Sequence, residues 1–130
     1  AAIARVLELF GAELVGEIYV PLTGKDMAAI TDAVQQTRPD MILNTINGAA
    51  NSALFDSLQQ LPESIWTPVL SFSLPESVAK SFGPELIRGH FLSWSYFEAL
   101  DNPANHAFLA RCRAQQQRTL IILQRTCNNF

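Results

Sequence analysis

Two hydrophobic periods alternate along the chain. Ile3, Val6, Leu7 and Phe10 fall at i, i+3, i+4 and i+7, the apolar stripe of a helix that Gly11 ends. Leu14 to Val20 is rich in β-branched and aromatic residues and is closed by Pro21, which predicts a strand. Asp26 is placed to cap a helix carrying Met27, Ile30 and Val34, and Arg38-Pro39 breaks it because the residue before proline avoids the α region. Met41 to Ile46 is apolar on both faces, as a central parallel strand is. A helix then spans about Ala50 to Leu61, Val69 to Phe72 is another buried strand, and Pro75 to Phe82 is a short helix ended by Gly83-Pro84. Gly89 to Tyr96 is a fourth strand, and Asn102-Pro103 is the cap and first turn of a helix through Phe108 and Cys112.

Strict alternation of buried strands with helices implies parallel pairing through right-handed crossovers. The expected fold is α/β, an open doubly wound parallel sheet with helices on both faces. Such a domain normally opens on a strand, whereas this chain opens on a helix. The first strand is therefore expected before Ala1, and the open sheet edge is expected to be filled by another segment or a second copy, as in a homodimer.

Composition narrows the classes. The 130 residues are 48% hydrophobic and 16% charged, an ordinary globular balance with room for one domain. No apolar run approaches the roughly 20 residues of a bilayer-spanning helix. The start lacks the basic n-region of a secretion signal. A net charge of −3 argues against nucleic acid as a partner. Arg111, Arg113, Arg118 and Arg125 lie in an acid-free stretch, leaving residues 1–110 with five basic and twelve acidic groups. We accordingly divide the chain into a lobe over residues 1–113 and an atypical basic tail over 114–130, helical or disordered. Cys112 and Cys127 both fall near the end, and pairing them would need a helix hairpin.

In an open parallel sheet, ligands meet the loops beyond the carboxyl ends of the strands. The first such loop is Pro21 to Gly24. The second offers Asn44, Thr45 and Asn47, donors and acceptors at one spot that suit a neutral polar ligand; equally, Asn47-Gly48 is a turn, with Asn47 or Asn51 capping the next helix. In the third, Ser73 and Glu76 match the capping box S-x-x-E, while Ser71 ends an apolar strand and is the better site candidate. In the fourth, Trp94 and Tyr96 alternate with Ser93 and Ser95, so the aromatics share one face, as ligand walls or as packing. Catalysis has little support: no GxSxG elbow, Gly-rich phosphate loop or H-E-x-x-H is present, and His90 and His106 have no partner by spacing. No Cys/His cluster suggests a metal, and no motif suggests a cofactor.

The succession GEIYVPL, RPDMILNTINGAAN, WTPVLSFSLPE and GHFLSWSYFEALDNPANHAFLARC resembles the type I periplasmic binding proteins for short-chain amides and urea. That group includes substrate-binding components of ABC transporters and the amide-sensing negative regulator of aliphatic amidase. The resemblance covers about Ala1 to Arg113 and implies most of the second lobe of a two-lobed hinged protein, with one Rossmann-like sheet. It implies a small ligand (amide, urea or amino acid) held against Asn44, Thr45, Asn47, Ser71, Ser73, Glu76, Trp94 and Tyr96, the first lobe as structural partner, a transporter permease as a further one, and a periplasmic location after signal removal. A cytoplasmic amide-responsive regulator built on the same lobe is the alternative.

Overall fold

The computed structural model describes residues 2–21 and 24–127, with side chains for 3–21 and 24–116. The order is α1 (Ala2–Leu9), α2 (Ala28–Thr37), β1 (Ile42–Asn44), α3 (Ala50–Gln59), a 3-10 turn (Glu63–Ile65), β2 (Val69–Ser71), α4 (Glu76–Ser81), α5 (Pro84–Ile87), β3 (Phe91–Leu92) and α6 (Pro103–Cys127). The described residues divide after Trp94 into two compact units.

In the first unit the three strands form one parallel sheet in the order β1-β2-β3. Ile42, Leu43 and Asn44 lie opposite Val69, Leu70 and Ser71, and Leu70 and Ser71 opposite Phe91 and Leu92. This is the α/β, parallel architecture that the alternation implies. Two apolar clusters hold it. Met27, Ile30 and Val34 meet Ala50, Leu54 and Ile65 in one; Phe55, Val69, Leu74 and Ala79 form the other, and Ile42 and Leu58 touch both.

Local chemistry sets the boundaries. α1 ends in a Schellman motif: Ala12 N–H donates to Leu7 C=O (2.9 Å) and Gly11 N–H to Glu8 C=O (3.1 Å), with Gly11 at φ +69°. Asp26 accepts the Ala28 N–H at the start of α2 (2.9 Å). Arg38 ends α2 in the left-handed region (φ 48°), a strained conformation for a residue with a Cβ. Its guanidinium secures the turn by donating to Gln35 and Ser64 carbonyls, each at 3.1 Å.

Three expectations need correcting. Among the described residues, 14–20 have no ladder partner, and Leu14, Val15, Ile18 and Tyr19 are exposed; β propensity describes fit to a neighbouring strand and cannot supply one. The expected strand Gly89 to Tyr96 shrinks to Phe91–Leu92, because Gly89 turns at φ +78° and the last ladder bond is Ser93 N–H to Ser71 C=O (2.9 Å). Ser73 and Glu76 form no capping box: Pro75 occupies the N-cap of α4 with no side-chain bond to the helix amides. Short α5, opened by Pro84 at its first turn, falls in a stretch to which the hydrophobic pattern assigns no element.

In the second unit, Asn102 accepts the Asn105 N–H (2.8 Å) and so caps α6. The buried Asn105 amide donates to Glu98 and Leu100 carbonyls (2.9 and 2.8 Å). α6 is continuous to Cys127, leaving no hairpin; fifteen positions at about 1.5 Å rise each separate the cysteines too far for a disulfide.

Candidate functional site

The carboxyl ends of β1 and β2 carry a buried polar network. Asn44, 3% exposed, donates through Nδ2 to Asn51 Oδ1 (2.8 Å) and Ser71 Oγ (3.0 Å), and its Oδ1 accepts the Ile46 N–H (2.9 Å). Asn51 in turn donates to the Ile46 carbonyl (2.7 Å) and toward Gly48 (3.4 Å). Ser73 Oγ also donates to the Ile46 carbonyl. The loops after β1 and β2 are therefore joined through a single carbonyl oxygen, and α3 is pinned to the end of β1 and the loop that follows it. Buried amides this completely paired stabilise one arrangement of their loops, since any other leaves a polar atom unsatisfied.

Asn51 is the hub that sequence reasoning considered only as a helix cap. A usable signal exists: it shares a helical face with Leu54, Phe55 and Leu58, and a polar residue in an apolar stripe needs an internal partner.

Beside this network lies a cleft of about 270 Å³ between the starts of α3 and α4. Gly48, Ala49, Asn51 and Ser52 form one side; Ser73, Leu74, Pro75, Val78 and Phe82 form the other. No lining residue is ionisable. Ser73 bridges to the facing loop through its O–H while its oxygen lone pairs can accept a donor.

The structure thus brings Asn44, Ser71 and Ser73 together. Thr45 and Asn47 are exposed on the same loop, with Asn47 donating to the Thr45 carbonyl (3.4 Å). Glu76, half-buried, pairs with Lys80 across one turn of α4 (2.6 Å). Trp94 closes the first unit with 43% of its surface exposed. Tyr96 belongs to the second unit, where its hydroxyl donates to Asn105 Oδ1 (2.6 Å) and its ring meets Phe108 edge-on at 5.6 Å. Leu22 and Thr23 of the first strand-end loop lie outside the described residues. His90 is structural: Nδ1 accepts the Val69 N–H (3.0 Å), and the ring lies between Phe55 and Trp66. Among the described residues no three His, Cys, Asp or Glu side chains gather as metal ligands.

A parallel sheet whose strand-end loops border an uncharged cleft defines an α/β ligand-binding lobe. The family model described as periplasmic binding protein domain matches residues 1–129, and the chain belongs to that family. It is a family of ligand-binding domains, not of enzymes. The fold is shared with a solved amino acid ABC transporter substrate-binding protein from Pseudomonas fluorescens Pf-5, at 20% identity and a TM-score of 0.69 over 79% of this chain. The chain spans 28% of the length of that protein.

Proposed function

We propose that this lobe supplies one wall of the solute site of a periplasmic substrate-binding protein, which delivers a small polar molecule (a short-chain amide, urea or an amino acid) to the permease of an ABC transporter. The observation that carries this reading is the uncharged cleft at the carboxyl ends of β1 and β2, bordered by the tied loops. Ser73 is the ligand-facing hydroxyl in the cleft, and Thr45 and Asn47, exposed on the loop after β1, are further proposed ligand contacts. Asn44 and Ser71, whose side chains are engaged with each other, position them. Glu76 and Trp94 contribute the periphery. Binding then shifts the full-length protein toward its closed state by the difference in affinity for the two states.

Calorimetry on the full-length protein with urea, acetamide and glycine tests this. Saturable binding of at least one, weakened about tenfold in Ser73→Ala, is expected for loss of one polar contact of about 1.4 kcal/mol. No binding of any of the three, or binding indifferent to Ser73→Ala, overturns the ligand class or the site respectively.

A further inference from the structure

We propose that Val78 is a specificity-determining residue, and that the part of the ligand entering the cleft is an uncharged alkyl group. The inference rests on the solute-binding reading and refines it. Four apolar side chains face Ser52 and Asn51 across the cleft: Leu74, Pro75, Val78 and Phe82, of which Pro75 is fixed at the N-cap of α4. Leu74 is fully buried in the second core cluster, and Phe82 packs against that cluster with its ring 5.8 Å from Phe55. Both are committed to the fold. Val78 belongs to neither cluster and is 38% exposed, while its neighbour Ala79 is buried.

An apolar side chain on a cleft wall, with no part in the core, gains only when something apolar covers it. Charge decides what that something is. The lining offers no ion pair to a carboxylate or ammonium, and the nearest charged residues on α4, Glu76 and Lys80, are paired with each other at 2.6 Å. A charged ligand end inserted here would lose hydration with no counter-charge in the lining to offset it. An alkyl group would not. Two sources carry one: the chain of an alkyl amide and the side chain of an aliphatic amino acid.

Calorimetry on the full-length protein with two graded series separates them: acetamide, propionamide and butyramide, and glycine, alanine and valine. In the series that binds, affinity should tighten by about fourfold per added methylene, the gain of burying one CH₂. The isosteric Val78→Thr should reduce that gain while leaving the shortest member's affinity unchanged. Val78→Trp should abolish the gain by filling the cleft, and if that variant fails to fold, Val78→Thr decides alone. A chain-length gain unchanged in Val78→Thr, or no gain at all, overturns the role of Val78 and leaves solute binding standing. No binding by either series or by urea overturns the amide, urea or amino-acid reading itself.

Discussion

Asn44 engages both its amide protons and its carbonyl oxygen inside the protein, with three different partners on α3, β2 and its own loop. Replacing it by alanine leaves Asn51 Oδ1, Ser71 Oγ and the Ile46 N–H without those partners. Each unsatisfied buried group costs about 1–3 kcal/mol, partly relieved where water enters. Asn44→Ala should therefore lower unfolding free energy by about 2–4 kcal/mol in urea denaturation. Ser71→Ala should cost only about 1 kcal/mol, because Asn44 keeps its other two bonds. Equal losses would mean that Asn44 holds no more of the network than Ser71 does. The residue types at these strand ends were legible in the sequence as polar groups ending apolar runs. Their partners were not, because Asn44 and Ser71 are 27 positions apart and meet only through the strand register.

At the scale of elements, the start of β3 depends on one imidazole. His90 accepts the Val69 N–H through Nδ1, stacks on Trp66 at 5.9 Å and meets the edge of Phe55 at 5.1 Å. A Cβ on Gly89 would come within 2.8 Å of the Trp66 ring, so this position also needs glycine on steric grounds. Burial holds the His90 pKa below its ordinary 6.5. The neutral ring belongs to the folded state, and the unfolded chain binds the proton first. Stability is thus full above about pH 6.5, falls as pH drops through the window between 6.5 and the lowered folded value, and is flat with respect to this group below it. Urea midpoints measured across that window should fall more steeply for the native sequence than for His90→Gln, and parallel curves would refute the assignment. The strand beginning near His90 was legible, but its length was not: alternation of Trp94 and Tyr96 with serines continues in the sequence after the backbone has left the ladder at Ser93. β1 and β2 were legible because runs apolar on both faces have no other stable place.

On the scale of the whole molecule, much apolar surface in the first unit is uncovered. Phe10 is 85% and Tyr19 82% exposed, Leu9 and Val6 on α1 are exposed next to Phe10, and β1 lies at the edge of the sheet. Exposed edges and contiguous apolar surface favour association. Sedimentation velocity on this 130-residue chain should show concentration-dependent dimers or larger species, shifted toward monomer by Leu9→Ser with Phe10→Ser; a monomer at about 100 µM would refute this. The tie between Ser73 and the Ile46 carbonyl has a different bearing. Because buried Asn44, Asn51 and Ser71 maintain the arrangement of the two loops, a cleft residue outside that network such as Val78 can be exchanged with little loss of stability. A lineage could therefore change what the cleft accepts by single substitutions, each passing through a folded intermediate, and ligand preference can diverge faster than the lobe that displays it.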